Sequence, residues 1–209
     1  MSFYYIIPCR KNSKGFKYKN RFLFEKTANK LHELKENVII TSDDNHIEKL
    51  NIKYGFKFLK RSDDLSLDTT DMRSVLIDVV DKFALKPEDH IVLLYLTYPE
   101  RTIEDIRNVV DFYRSNNGSS LLCKEELIQH PYLCFYNKKD NKGERIIKHD
   151  LYRRQDYPSC FFGSHFLAIV KVFSLKNVDR NLFGKDTIFY DLEDHKLDID
   201  YELDYLKLN

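Results

Sequence analysis

The chain has 209 residues, of which 43% are hydrophobic and 32% charged, and 34 Lys and Arg against 33 Asp and Glu give a formal net charge of +1. This balance argues against a protein that binds nucleic acid by neutralising phosphates, and against a highly charged disordered chain. Because the sequence shows no secretory h-region, no apolar run near the roughly 20 residues that cross a bilayer, and no CxxC pair among its four cysteines, we expect a cytoplasmic protein with reduced thiols and no membrane contact.

Strand-length apolar runs alternate with helical patterns over the first 120 residues. Continuous apolar runs, typical of buried parallel strands, cover residues 3–7, 38–41 and 91–96. Apolar residues at helical spacing predict helices over 21–35, over 71–84 with Asp71 as a cap, and after Thr102, which opens a capping-box sequence. This order predicts a three-layer α/β/α, Rossmann-like fold with a mainly parallel sheet.

The pattern changes after about residue 120. Further strands are predicted at 119–125, 131–137 and 161–172, and the polar stretch 137–144 predicts the tip of a hairpin. We therefore expect a single domain, 1–209, with a small protruding subdomain inserted at approximately 126–158.

The loop after the first strand is the most informative segment. Residues 8–20 read PCRKNSKGFKYKN and place five cations between positions 10 and 19 without one acid. Asn12, Ser13 and Gly15 permit close approach of the backbone, and the first loop of an open α/β sheet is a common phosphate site. The spacing is neither that of a P-loop nor that of a dinucleotide fingerprint. A polyphosphate is the predicted ligand of this loop. Its charge and glycine content alone fit a solvated basic turn equally well.

Two aspartates near the C terminus, Asp198 and Asp200, are candidate metal ligands. On a strand, residues i and i+2 point to the same side, so both carboxylates could face one Mg²⁺, which prefers oxygen ligands and phosphate co-ligands. The alternatives are an exposed acidic edge, or Asp200 as a helix N-cap. Asp204, one helical turn onward, is predicted to be a cap or to support the site.

Seven short segments, in chain order and at compatible spacing, resemble the motifs of the CMP-sialic acid synthetases, also called acylneuraminate cytidylyltransferases. The segments are 6–20, 41–44, 61–68, 93–102, 130–131, 154–158 and 197–204. The first resembles the family pattern P-A-R-x-x-S-K-G-x-x-x-K-N, with Cys9 in place of the alanine. The last resembles the family's S-I-D-I-D-T-x-x-D.

The resemblance implies a site for CTP and Mg²⁺. It assigns the nucleotide to the residues Arg10, Asn12, Ser13, Lys14, Lys19, Asn20 and Arg61. Within that set Arg10, Ser13 and Lys14 would hold the triphosphate, and Arg61 would contact the cytidine. Asp198 and Asp200 would bind the metal, and Arg10, Lys14 and Asp200 would act in catalysis by positioning and charge stabilisation.

The departures from the family lie on the side of the acceptor. Tyr95 replaces a sugar-contacting glutamine, and Phe162 and His165 fall where the family has an arginine, an asparagine-glycine pair and a tyrosine. Arg154 matches the family and could pair with a carboxylate or phosphate. We therefore predict that Tyr95, Arg154, Phe162 and His165 contact the acceptor.

The predicted function is transfer of CMP from CTP to an acidic acceptor, a sialic-acid-like or other α-keto sugar acid, with release of pyrophosphate, for surface glycan biosynthesis. By resemblance, the protein would be a homodimer in which residues 126–158 form the interface. Two alternatives stay open at this point. One is a cytidylyltransferase for a phosphate or phosphonate acceptor, and the other a catalytically silent nucleotide-binding or assembly protein of the same fold.

Overall fold

The computed structural model describes residues 1–127, 129–194 and 196–208. Its strands are β1 (Phe3–Pro8), β2 (Val38–Ser42), β3 (Lys57–Lys60), β4 (His90–Leu93), β5 (Ser120–Glu126), β6 (Phe135–Asn137), β7 (Gly143–Arg145), β8 (Phe161–Lys171) and β9 (Thr187–Asp191). Its α-helices are α1 (Lys19–Ala28), α2 (Asn45–Tyr54), α3 (Met72–Phe83), α4 (Ile103–Ser115) and α5 (Glu202–Tyr205).

Seven strands form one mixed sheet in the order β3-β2-β1-β4-β8-β5-β9. Strand β8 runs antiparallel to both of its neighbours, β4 and β5, and the other pairs are parallel. In the middle of the sheet, Ile6 lies beside Ile39 on one side and Leu93 on the other. The predicted mainly parallel sheet is confirmed.

Helices cover both faces of the sheet and bury two apolar clusters. Alternate residues of a strand point to opposite faces, so Tyr5 and Ile7 of β1 pack with α1, α2 and α4, whereas Ile6 packs with α3. Ile6 and Ile7 are fully buried. The predicted α/β/α layering follows from this division.

The predicted caps of two helices are confirmed. The Asp71 carboxylate accepts a hydrogen bond from the Ser74 backbone N–H at 3.0 Å at the start of α3. At α4, the Asp105 N–H donates to Thr102 Oγ1 at 3.0 Å, and the Thr102 N–H donates to Asp105 Oδ2 at 2.7 Å. Such a reciprocal pair satisfies backbone donors that the helix leaves open.

Several predicted boundaries are wrong. The helix predicted over 21–35 ends at Ala28 and is followed by a 3₁₀ segment, His32–Asn37, because the chain turns so that Leu31 enters the core. The strand predicted over 131–137 is confined to β6, after a 3₁₀ turn at Pro131–Leu133. Helix α2 and strands β3 and β9 were not predicted, and the two strands lie at the sheet edges with only partial burial.

Glu126, the first residue of the predicted insert, is the last residue of β5, and beyond it the described residues up to 158 add no strand to the seven-stranded sheet. Strands β6 and β7 pair antiparallel as a separate two-stranded sheet, with Phe135 opposite Arg145 and Asn137 opposite Gly143. The predicted hairpin tip is thereby confirmed. Ile128, which belongs to the predicted insert, lies outside the described residues. In the described part of the chain, no helix is long and apolar enough to span a bilayer.

Candidate active site

A cavity of about 550 Å³ opens at the carboxyl ends of β1, β3 and β4, the edge at which open α/β sheets bind ligands. The predicted site residues that line it are Arg10, Ser13, Lys14, Lys19, Asn20, Arg61, Tyr95, His165, Asp198 and Asp200. Segments separated by up to 190 positions in the sequence thus meet at one place.

The basic loop is tied to the fold through its backbone. The Cys9 N–H donates to the Thr41 carbonyl at 2.9 Å, and the Lys11 N–H donates to Asp43 Oδ1 at 2.7 Å. From α1, Asn20 Nδ2 donates to the Arg10 carbonyl at 2.8 Å. The loop therefore has a fixed backbone before any ligand binds.

The C-terminal segment packs directly on this loop at Gly15. A Cβ atom at Gly15 would lie 2.5 Å from the backbone oxygen of Asp200 and 3.1 Å from the Tyr201 ring. Such a contact with backbone cannot be relieved by rotating a side chain. Glycine is therefore required at this position, because it lets the two aspartates approach the basic loop.

Lys19 joins the basic loop to the acidic segment. Its side chain is buried, and its Nζ lies 2.8 Å from Asp200 Oδ1. The carboxylate itself is largely exposed. Asp200 can therefore keep its charge balanced by Lys19 while its free side faces solvent and ligand.

Asp198 is the more buried of the two aspartates. Its Oδ1 is buried without a hydrogen-bond partner among the described residues. Burial raises the pKa of Asp198, a hydrogen bond from Thr97 opposes the rise, and the charge of Asp200 adds to it. A carboxylate oxygen that is desolvated and unpaired is suited to a cation.

Asp198 and Asp200 were expected to lie on a strand. This expectation is wrong, because residues 196–200 have no regular secondary structure. The main chain is instead held by the Ile199 N–H, which donates to the Thr97 carbonyl at 2.8 Å. Asp200 is not a helix N-cap. The expected capping role of Asp204 is confirmed, since its Oδ2 accepts from the Tyr201 N–H at 2.9 Å.

The two aspartates fit a magnesium ion that also binds phosphate oxygens. Within the described residues there is no group of three or more His, Cys, Asp or Glu that could hold a metal by itself. Mg²⁺ commonly uses one or two carboxylates together with substrate phosphates. The two carboxylates therefore suit a metal ion that binds together with a nucleotide.

Arg61 lies in the cavity wall as a buried cation. Its Nη2 donates to the Thr41 carbonyl at 2.8 Å and its Nε to Thr41 Oγ1 at 3.3 Å. Burial lowers the pKa of Arg61 from that of a free guanidinium. These bonds fix the plane of the guanidinium in the wall of the first cavity.

The side of the first cavity that was predicted to contact the acceptor contains a stacked pair, Tyr95 and His165, whose ring centroids lie 5.4 Å apart. Burial raises the pKa of Tyr95 to about 12. The buried Arg101 holds the two strand ends together, since its guanidinium donates to the carbonyls of Tyr95 and Phe166. The pair is thus fixed in place by backbone contacts.

A second cavity, of about 370 Å³, shares Met72, Tyr95 and His165 with the first. Its polar wall includes Thr69, Thr70, Asp71, Ser164, Arg180 and Asn181, and its apolar wall includes Leu93, Leu122, Ala168 and Leu182. The sequence does not predict this cavity, because its walls come from five segments that carry no common motif.

Three predicted site residues do not line the first cavity. Asn12 is exposed on the basic loop, Arg154 is exposed in a 3₁₀ turn, and Phe162 is 46% exposed on β8. Arg154 and Phe162 also lie outside the walls of the second cavity. The single chain therefore does not bring these three side chains into the site.

Relatives match nearly the whole chain, although no protein-family profile does. Post-translational flagellin modification protein B of Campylobacter coli is 27% identical over 95% of this chain and 90% of its own length. The N-acylneuraminate cytidylyltransferase of Streptococcus agalactiae serotype V is 22% identical over 96% of this chain. CMP-N,N'-diacetyllegionaminic acid synthase of Legionella pneumophila is 27% identical over 71% of this chain and 67% of its own length. The chain spans about half the length of the Streptococcus enzyme.

Solved structures share the fold. A CMP:2-keto-3-deoxy-manno-octonic acid synthetase complexed with CTP superposes with a TM-score of 0.70 at 11% identity, covering 100% of this chain and 97% of that one. A cytidylyltransferase from Leptospira borgpetersenii gives a TM-score of 0.62 at 15% identity, covering 100% and 85%. The predicted α/β/α fold and the resemblance to the acylneuraminate cytidylyltransferases are confirmed, and the relatives and solved neighbours include nucleotidyltransferases.

Proposed function

We propose that the chain transfers a cytidylyl group from CTP to the hydroxyl of a sugar acid and releases pyrophosphate. The proposal rests on the convergence of the basic loop and two carboxylates on one cavity, joined through the 2.8 Å contact of Lys19 with Asp200. The named activities of the relatives support a sugar acid as acceptor. We expect the reaction to occur in the cytoplasm and to feed the synthesis of surface glycans.

The cations of the loop would bind the triphosphate. Arg10, Ser13 and Lys14 line the cavity beside Lys19, so guanidinium, hydroxyl and ammonium donors would surround the phosphate oxygens. Asn12 would contact the nucleotide from the outer side of the loop. Asn20 fixes the Arg10 carbonyl, and Arg61 would face the cytidine.

Asp198 and Asp200 would hold Mg²⁺ together with phosphate oxygens of CTP. The ion, when bound, stabilises the negative charge that develops on the phosphates. Lys19, whose Nζ lies 2.8 Å from Asp200 Oδ1, would offset part of the negative charge of the acidic pair beside the triphosphate. Within this arrangement Arg10 and Lys14 would stabilise the departing pyrophosphate.

The reaction is an in-line displacement at the α-phosphorus. The acceptor oxygen forms a bond to that phosphorus while the bond to the bridging oxygen of the β-phosphate breaks, and the pyrophosphate takes the bonding electrons. The hydroxyl proton is released to solvent. In the chain itself, positioning and charge would supply most of the catalysis.

The second cavity would hold the distal part of the acceptor. Tyr95 and His165 belong to both cavities, so an acceptor lying against this pair would reach from the α-phosphate into the second space. The apolar wall around Leu93 and Ala168 suits a methyl or acyl substituent, and Arg180 with Asn181 would donate hydrogen bonds to sugar or amide oxygens.

Residues 126–158 would form a dimer interface that completes the acceptor site. Large apolar side chains are exposed in and beside this segment, among them Phe135 at 64%, Tyr136 at 61% and Tyr152 at 94%. Such clustered exposure favours a protein contact. Across a dimer, Arg154 and Phe162 would reach the neighbour's acceptor. A monomer by light scattering would contradict this part of the proposal.

Incubation of the protein with CTP, Mg²⁺ and a panel of acceptors tests the proposed reaction. The panel contains an N-acylated nine-carbon keto sugar acid, an eight-carbon deoxy keto sugar acid and a phosphonate, and pyrophosphate release is followed. We expect turnover with a keto sugar acid. Turnover with the phosphonate alone would identify a different acceptor class, and no CTP binding at all would refute the proposal.

A further inference from the structure

Asp68 bridges the two cations of the basic loop that face the cavity. Its Oδ1 lies 2.5 Å from Arg10 Nη1, and its Oδ2 lies 3.2 Å from Lys14 Nζ. Hydrogen bonds from Lys14 and Arg10 hold the pKa of Asp68 below its usual range. One carboxylate from the segment before α3 therefore joins two side chains four positions apart on the loop after β1.

The carboxylate contacts these cations from outside the cavity. Arg10 and Lys14 belong to the cavity wall, whereas Asp68 does not. The Arg10 guanidinium uses Nη1 for Asp68 and has other donors for a phosphate. A triphosphate in the cavity and Asp68 outside it can therefore contact the same two side chains at once.

The loop backbone does not depend on Asp68. It is held by Asn20 at the Arg10 carbonyl and by Asp43 at the Lys11 N–H. The Lys14 side chain is 81% exposed, and a long free side chain loses rotamer entropy when it binds a ligand. Removing Asp68 should release the two cationic side chains while leaving the fold of the loop intact.

We propose that Asp68 is a positioning residue for the triphosphate, which orients Arg10 and Lys14 toward the cavity before the nucleotide binds. This inference rests on the proposed function. It assigns a task to an acidic side chain that would otherwise weaken the attraction of the loop for phosphate. Preorganisation of this kind strengthens binding, because part of the ordering cost is met before the ligand arrives.

Calorimetric binding of CTP, tripolyphosphate and cytidine to the full chain tests the inference. For Asp68→Asn we expect about fivefold to tenfold weaker binding of CTP and tripolyphosphate, with cytidine binding unchanged. The difference should shrink as salt is raised toward about 1 M, because salt screens the exposed pairs. Asp63→Asn is the matched control, since it removes the same charge from an exposed nearby position without contact to either cation.

The other outcomes separate this inference from the proposed function. Equal or tighter binding of CTP by Asp68→Asn would overturn the positioning role, as would an equal loss of cytidine binding or the same loss in Asp63→Asn. If the unchanged protein binds tripolyphosphate but not CTP, the proposed cytidylyl transfer fails while the role of Asp68 is still measured. If it binds neither, both fail.

Discussion

The two walls of the site are built differently. On the wall proposed to bind the nucleotide, here called the nucleotide wall, several groups have a partner within the protein: Gly15 lies against Asp200, and Lys19 pairs with the same residue. On the acceptor wall the groups are two stacked rings, a second cavity, and Arg180, for which the described residues contain no ion-pair partner. Contacts between distant segments preorganise the nucleotide wall. On the acceptor wall Asp71 and Thr70 are hydrogen-bonded within the chain, whereas Arg180 could contact a ligand.

Asp200→Asn should give the largest effect, since it removes a carboxylate of the proposed metal site and the partner of Lys19. We expect turnover to fall about 100-fold to 1,000-fold, with folding retained. Steady-state pyrophosphate release measures this. Glu202→Gln is the control, because Glu202 is an exposed neighbouring acid outside the cavity wall. Unchanged turnover in Asp200→Asn would mean that the nucleotide wall does not carry the chemistry.

Gly15→Ala tests whether the two segments of the nucleotide wall must touch. The new Cβ would lie 2.5 Å from the Asp200 carbonyl, so the acidic segment must move away from the loop. We expect turnover to fall about 10-fold to 100-fold and the free energy of unfolding to fall by about 1–3 kcal/mol. Gly163→Ala is the control, because a Cβ at Gly163 meets no atom within 4 Å. Equal behaviour of the two variants would contradict the required contact.

Arg180→Gln tests the acceptor wall by itself. If Arg180 donates to the acceptor, KM for the acceptor should rise about threefold to tenfold, while KM for CTP stays constant. Lys185→Gln, an exposed charge change close by in the sequence, should change neither. A rise in KM for CTP after Arg180→Gln would mean that the second cavity serves the nucleotide.

Asp198→Asn should change thermal stability only slightly, and this change is opposite in sign to its effect on activity. Burial raises the pKa of Asp198, so the charged form lowers the stability of the folded chain above that pKa. We expect the variant to lose activity and yet to melt a few degrees higher at neutral pH. This gain should shrink as the pH falls through the raised pKa of Asp198, where the native carboxyl takes up a proton. Thermal melting across this range measures the difference, and a variant that melts lower at neutral pH would contradict it.

The fold was largely predictable from local patterns, and its misses have physical causes. Strands β1, β2 and β4 are continuous apolar runs because both of their faces are buried, and α4 begins at a capping box that is visible in the sequence. Strand β3 at the sheet edge has no fully buried residue, so it carries no apolar run. Helix α1 ended early because tertiary packing of Leu31 overrides its helical spacing.

The proposed nucleotide wall could be predicted because its residues lie in short segments that carry the spacing of family motifs. Asp198 and Asp200, which were predicted to bind a metal, line the first cavity, although they do not lie on a strand as expected. Arg180 and Met72 could not be found, since only the folded chain brings their segments beside Tyr95. Asp68 was part of a recognised motif, but only the distances reveal its contact with Arg10 and Lys14.

Phosphorus NMR of a complete reaction tests cytidylyl transfer most directly. The protein is mixed with CTP, Mg²⁺ and an N-acylated keto sugar acid, and the three CTP signals are followed over time. We predict that they are replaced by one phosphodiester signal and one pyrophosphate signal in equal molar amounts, with no free CMP at early times. Consumption of CTP to CMP without a phosphodiester, or persistence of CTP with every keto sugar acid supplied, would contradict the proposed transfer.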